Sequence, residues 1–330
     1  MHPEARIHVA GHRGLVGSAL VRQLQASGFR NLLLRSHAEL DLTDARATAA
    51  FYERERPEYV FLAAARVGGI LANQTQPADF IRDNLLIQTH VIDQCWRTGV
   101  KRLLFLGSSC IYPRLAPQPL REDCLLSGPL EPTNRPYALA KIAGIEMCWS
   151  YNRQHGTRFL AAMPTNLYGP GDNYDLHASH VIPALLRKFC EARERGEPAV
   201  SVWGSGEPRR EFMYSDDMAA ACVFLMNLPD ARFDALLGSD EAVSARFEPP
   251  LINIGVGHDL SIRELAETVR RVVGYRGEIV YDRSKPDGTP RKLMDVSRLH
   301  ALGFVAATPL EEGLRRALHA APFFRHPDSP

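Results

Sequence analysis

Ile7-His8-Val9-Ala10-Gly11-His12-Arg13-Gly14-Leu15-Val16-Gly17 decides the fold. A short, mostly apolar run leads straight into three glycines spaced three apart, and an amphipathic stretch over residues 16–27 follows. Strand, glycine turn and helix start, in that order, open a dinucleotide-binding βαβ unit. Gly11 permits the tight turn, Gly14 lets the backbone come close to a pyrophosphate, and Gly17 lets the helix pack close to the strand. The free N–H groups of the first helical turn then face an anion, with His12, Arg13, Leu15 and Val16 in the same turn as further cofactor contacts. The spacing differs from the commoner GxGxxG, so the weight rests on the flanking strand and helix.

Working outward, the pattern predicts strands at 31–35, 59–64, 102–106 and 159–163, with helices at 45–56, 77–98 and from Pro136 to about residue 154. Strands that read as continuous apolar runs imply a parallel sheet covered on both faces. The expected architecture is an α/β, Rossmann-type doubly wound parallel sheet with a smaller, mostly C-terminal α/β substrate lobe. The NADP-binding domain is expected over residues 1–170, with sheet contributions from about 210–255, and the substrate lobe mainly over 171–330. That second part predicts helices at 181–195, 215–228, 261–273 and 309–320 and strands at 200–203, 251–254 and 278–281. The proline-rich stretch 113–136 reads as a loop draped over the site, and 230–250 as a surface excursion ending in Pro249-Pro250.

A chain of 330 residues, 45% hydrophobic and 23% charged, buries a large core. A net charge of +1 supplies no general attraction to nucleic acid or to an anionic membrane, and no apolar run approaches the roughly 20 residues of a membrane span. Cys95, Cys110, Cys124, Cys148, Cys190 and Cys222 show no CxxC pairing and no ligand-like histidine spacing. This argues against a zinc site or a disulfide framework and fits a reducing, cytoplasmic setting.

The chemistry lies in three groups of residues. At the end of the second strand, where an acid usually holds the ribose hydroxyls of NAD, stand Arg35 and Ser36. Together with Arg13 they favour a 2′-phosphate, hence NADPH over NADH, while Asp41 and Leu42 are candidates for the adenine region. Tyr137 and Lys141 stand one helical turn apart on the same face, where an ammonium favours the phenolate. A substrate oxygen would then exchange a proton with Tyr137 while Ser108 holds it. Cys110 follows at the mouth of the same strand, and His180 opens a helix. A thiolate and an imidazole are plausible proton carriers, but a core cysteine and a packed histidine have structural explanations, and the residues alone leave both readings open.

Further stretches identify a family. Ala10-Gly-His-Arg-Gly-Leu-Val-Gly17, Leu106-Gly-Ser-Ser-Cys-Ile-Tyr-Pro113, Pro164-Thr-Asn-Leu-Tyr-Gly-Pro170, Ser179-His-Val-Ile-Pro-Ala-Leu-Leu186 and Ser284-Lys-Pro-Asp-Gly-Thr-Pro-Arg-Lys292 resemble the GDP-L-fucose synthases, within the extended short-chain dehydrogenases/reductases. The likeness spans almost the whole chain. The glycine turn and the Tyr/Lys pair are shared widely, whereas the cysteine and the segment after Ser179 are far more specific. The resemblance implies a bifunctional enzyme, a 3,5-epimerase and 4-reductase of GDP-4-keto-6-deoxy-D-mannose that uses NADP(H) and is a homodimer. It implies Ser108, Tyr137 and Lys141 as the reductase triad, with Cys110 and His180 as base and acid of epimerisation. Leu106, Gly107, Lys141, Pro164, Asn166, Leu167 and His180 would join the cofactor contacts, Asn166 and Leu167 lying near the nicotinamide carboxamide. Ser108, Ser109, Cys110, Tyr137, Lys188, Trp203 and Arg210 would hold the GDP-sugar, with Lys188 where the family can carry arginine. Segment 234–250 is longer than the family needs and receives no function. The nearest rival is another nucleotide-sugar 4-reductase or epimerase of the same fold; a non-catalytic NADP-binding scaffold would have no use for all five catalytic residues.

Overall fold

The computed structural model describes residues 1–176, 179–237, 249–285 and 287–324, so that most of segment 234–250 lies outside the described residues. The chain begins β1 (Ile7–Ala10), α1 (Leu15–Ala26), β2 (Leu32–Leu33), α2 (Ala45–Glu55), β3 (Tyr59–Leu62), α3 (Ile70–Thr75), α4 (Pro77–Arg97), β4 (Arg102–Leu106), α5 (Arg135–His155) and β5 (Phe159–Pro164). It continues with β6 (Asn166–Tyr168), α6 (Val181–Arg195), β7 (Ala199–Trp203), β8 (Arg209–Arg210), β9 (Phe212–Tyr214), α7 (Ser215–Met226), α8 (Asp230–Asp234), β10 (Leu251–Ile254), β11 (Leu260–Ser261), a helix at Ile262–Val273, β12 (Glu278–Asp282), β13 (Arg291–Lys292) and helices at Ser297–Ala301 and Leu310–His319.

The main sheet has the order β10-β5-β4-β3-β1-β2, and its pairs are all parallel. Side chains alternate between its faces, as the two-residue period of a strand requires. Ile7, Val9, Leu104, Leu106, Leu160 and Ala162 enter the core shared with α1 and α7. Leu103, Phe105, Phe159, Ala161 and Met163 enter the opposite one, built with α2, α4 and α5. Both faces are therefore dry, which explains the unbroken apolar runs and confirms the doubly wound sheet. A third core, centred on Leu186, Phe189, Leu265, Val269 and Leu314, lies in the smaller lobe. There the helix Ile262–Val273 begins at a reciprocal Ser261/Glu264 capping box and ends at Gly274 in the left-handed region, the local signals that bound a helix.

Two expectations need correction. The second strand is shorter than 31–35, because only Leu32 and Leu33 pair, at the sheet edge against Ile7 and His8, before Arg35 turns to Glu55 of α2. Residues 230–237 are not a surface excursion: Phe233, Leu236 and Leu237 are buried in the α1/α7 core, and the polar residues around them disguised this.

Candidate active site

The carboxyl ends of β1 and β3 and the start of α1 enclose the glycine turn. A Cβ on Gly17 would lie 2.0 Å from the Gly11 carbonyl oxygen, and one on Gly11, whose φ is +82°, would lie 2.7 Å from the Ala64 nitrogen. Packing alone demands both glycines. Gly14 is different: it is exposed, and a Cβ there would meet nothing nearer than the Gly11 oxygen at 3.5 Å. No side chain caps α1 at Gly14. The His12 Nδ1 is buried without a hydrogen-bond partner among the described residues. Open N–H groups, an unfilled approach at Gly14 and an orphaned ring nitrogen fit a pyrophosphate at this helix start.

Arg35 stacks 5.8 Å from the Phe51 ring centroid and reaches the Glu55 carboxylate at 3.2 Å. The Ser36 N–H and hydroxyl donate to Glu39 Oε2 at 2.8 and 2.6 Å. These two bonds are the main cause of the lowered Glu39 carboxyl pKa, with Arg35 and Arg13 adding to it from nearby. The two arginines thus share one neighbourhood, with Glu39 as a third charge that sequence reading passed over. Asp41 and Leu42 are less available. The Asp41 carboxylate accepts from the Thr43 N–H and hydroxyl at 2.9 and 2.7 Å, and the Leu42 side chain is in the core.

Ser108 and Cys110 extend from the end of β4, where a Cβ on Gly107 would collide with Met163. Pro136 in the first turn of α5 pre-sets the helix that presents Tyr137 and Lys141. Lys141 is buried, its Nζ donating to the Leu106 carbonyl at 2.8 Å and lying 5.8 Å from the Tyr137 ring centroid. Burial brings its pKa down to about 8, with Cys110 opposing. Tyr137 is pushed well above the ordinary phenol value by burial and by Cys110, with the Ser108 hydroxyl pulling the other way. Against the expected pull of Lys141 toward a phenolate, burial of the phenol works in the opposite direction.

The Cys110 thiol is also raised by burial, while Lys292, Ser108 and Lys141 oppose that rise. His180, at the N-terminus of α6, makes no capping bond to the helix through its side chain. Its pKa is lowered, by desolvation first and by Lys292 second. Lys292, which closes the last family-like stretch and received no role from the sequence, is the charge that contributes to both shifts. Beside His180, the Ser179 hydroxyl is buried and unpartnered among the described residues.

Farther out, Trp203 is 62% exposed and flanked by two ammonium groups, Lys188 and Lys285, each 5.6 Å from its ring centroid. Arg210 stands opposite Lys292 across the parallel β8/β13 pair. Asn166 donates to the Glu211 carbonyl at 2.8 Å, while Leu167 packs against the sheet core. Pro164 ends β5, and Ser109 is buried beside Cys110.

A family model described as NAD dependent epimerase/dehydratase family matches residues 7–235. Over 311 residues the chain is 55% identical to a GDP-L-fucose synthase of Escherichia coli (strain K12), covering 94% of each chain. It is 54% identical over 314 residues to a putative GDP-L-fucose synthase 2 of Arabidopsis thaliana, covering 95% of this chain and 90% of that one. Among solved structures, a GDP-mannoheptose C4 reductase from Campylobacter jejuni with NADP bound superposes with a TM-score of 0.86 at 40% identity, covering 97% of this chain and 99% of that one. On this likeness, carried through the glycine turn and both lobes, the chain belongs to the NAD dependent epimerase/dehydratase family, among the extended short-chain dehydrogenases/reductases.

Proposed function

We propose that this enzyme of the epimerase/reductase type binds NADP(H) and converts GDP-4-keto-6-deoxy-D-mannose to GDP-L-fucose by epimerisation at carbons 3 and 5 and reduction at carbon 4. The observation that carries this reading is the 55% identity to a GDP-L-fucose synthase together with a buried Cys110 whose N–H donates to the Ser108 hydroxyl at 3.4 Å at the mouth of β4 and a His180 that opens α6 without capping it. A plain reductase needs the serine, tyrosine and lysine but has no task for the other two.

Carbons 3 and 5 flank the 4-keto group, so their protons are acidified. Lys292, Ser108 and Lys141 favour the Cys110 thiolate against burial; it removes one such proton, the Ser108 and Tyr137 hydroxyls hold the developing enolate oxygen, His180 returns a proton to the opposite face, and proton exchange with solvent restores both groups for the second centre. After both centres are inverted, the same Tyr137 hydroxyl gives its proton to the carbon 4 oxygen. NADPH, when bound, supplies the hydride for carbon 4. The glycine turn with His12, Arg13, Leu15 and Val16, together with Arg35, Ser36 and Lys141, would hold it. Trp203, Lys188 and Arg210 would take the GDP portion, a planar base on the indole and a diphosphate on the cations.

The test is proton NMR in D2O with GDP-4-keto-6-deoxy-D-mannose, before and after NADPH is added. Deuterium at carbons 3 and 5 followed by GDP-L-fucose is the expected course. Reduction without exchange would leave the second reading, a C4 reductase acting on a GDP-4-keto sugar, which the likeness to the Campylobacter reductase favours.

A homodimer is proposed on the exposed, mainly apolar surface formed by Pro77, Ala78, Ile81, Pro136 and Leu139 between α4 and α5. Sedimentation equilibrium should then return twice 36.8 kDa. Six free cysteines support a reducing, cytoplasmic setting.

A further inference from the structure

We infer that Glu55 is a positioning residue that sets Arg35 for the 2′-phosphate of the cofactor and so carries part of the preference for NADPH over NADH. The inference rests on the reading of Arg35 as a 2′-phosphate residue given above. Phe51 and Glu55 stand four apart on α2, hence on one face of the helix. Both meet the same guanidinium: Arg35 lies 5.8 Å from the Phe51 ring centroid, and its Nη2 donates to Glu55 Oε1 at 3.2 Å. Its Nη1 donates to the Leu34 carbonyl at 2.8 Å. The ring beneath it is a fixed floor. Phe51 is buried, with its ring 4.8 Å from that of His8 on β1 and 5.5 Å from that of Tyr52, and the His8 Nδ1 and the Tyr52 hydroxyl are hydrogen-bonded at 2.9 Å. Ring, backbone carbonyl and carboxylate therefore fix the guanidinium, and the rest of its five N–H donors are left for an anion.

Local helix stability gives no reason for an acid at residue 55. Glu55 is the last residue of α2, where the helix dipole disfavours a carboxylate, and Arg56 closes the helix in the left-handed region with φ +46°. The carboxylate is answered by arginines instead, because Oε1 also accepts from Arg54 Nε and Nη2, both at 3.1 Å. Two guanidiniums on one carboxylate leave a net positive charge, so holding Arg35 does not cancel its attraction for a phosphate. Glu39, the other acid nearby, is engaged by the Ser36 N–H and hydroxyl at 2.8 and 2.6 Å. Among the described residues the ion pair of Arg35 is with Glu55 alone.

The Arg35 side chain is 33% exposed and, without its tether, would sample many rotamers. A 2′-phosphate would then have to order it on binding, and that cost is removed when the side chain is ordered beforehand. NADH has no 2′-phosphate and gains nothing from the arrangement. An effect of Glu55 on cofactor affinity is thus confined to NADPH, which separates positioning of Arg35 from general support of the fold.

The experiment titrates the full chain with NADPH and with NADH at one ionic strength and follows nucleotide fluorescence to obtain each Kd. In Glu55→Ala the Kd for NADPH should rise about fivefold while that for NADH stays put, and Glu55→Gln, whose amide oxygen still accepts from the guanidinium, should stay within about twofold of the parent. Glu55→Ser makes the same cut should the alanine variant not fold. Arg35→Ala should abolish more of the preference for NADPH, and adding Glu55→Ala to it should change nothing further. An NADPH Kd that is unchanged or lower in folded Glu55→Ala, or a loss shared equally by NADH, would overturn the inference. An unchanged NADPH/NADH preference in Arg35→Ala would instead overturn the reading of Arg35 itself, and the inference with it.

Discussion

At Lys141 burial and function pull against each other. Its ammonium is held on the Leu106 carbonyl at 2.8 Å, yet burial lowers its pKa from 10.5 to about 8. The unfolded chain binds this proton more tightly, so the stability contributed by Lys141 increases as pH rises from about 8 toward 10.5. Cofactor binding should run the other way: NADPH affinity, followed by fluorescence titration, should decline as pH rises through about 8 and the charge is lost. Lys141→Met should remove that decline and bind weakly throughout. Tyr137 allows a sharper separation. Tyr137→Phe should cut reduction by roughly 10²–10⁴-fold while solvent exchange at carbons 3 and 5 persists, slowed by the loss of one enolate-binding hydroxyl. Loss of exchange and reduction to the same degree would show that the phenol serves both steps equally. The spacing of Tyr137 and Lys141 showed that they share a helix face. It could not show how deeply that face is buried, and so the opposing effect of burial on the phenol was not legible.

Among the elements, the glycine turn separates packing from ligand approach. In Gly17→Ala the new methyl would sit 2.0 Å from a backbone oxygen of the same turn, so β1 and α1 must move apart. Overpacking of this kind costs about 1–3 kcal/mol, and urea unfolding should show it together with lost NADPH binding. Gly14→Ala has room on the protein side and should unfold like the parent while binding NADPH less tightly. Equal destabilisation by both would refute the distinction. Elements of this size were legible because a buried strand such as β4 is apolar at nearly every position and α5 is announced by Pro136. The strands β8, β11 and β13 were not, since two residues carry no periodicity and their partners are remote in the chain. That is why Arg210 was legible by its resemblance while Lys292, its neighbour across the strands, received no role.

The whole molecule is joined at one buried carboxylate. Glu211 Oε1 accepts from the Val256 and Gly257 N–H groups at 2.6 and 2.8 Å, and Oε2 from Met294 at 2.9 Å. Its carbonyl accepts from the Thr165 hydroxyl and the Asn166 amide at 3.2 and 2.8 Å. The exit from β5, the loop after β10 and the strand bearing Lys292 are therefore tied together, and with them the cofactor side and the sugar side of the cleft. Gly255 has to be glycine for this, because a Cβ there would lie 2.3 Å from the carboxylate. Nothing in the local sequence marks Glu211 as more than one charge after two arginines, because its partners lie in three distant segments. Glu211→Gln keeps the shape but turns an acceptor into a donor facing backbone N–H groups. It should cost about 2–4 kcal/mol, since a charge-assisted bond is lost and a buried donor is left without a partner. The urea midpoint should fall with an unchanged slope, and the KM for both NADPH and the GDP-sugar should rise, because the displaced residues belong to both sides of the cleft. A rise confined to one substrate would place the tie within a single lobe.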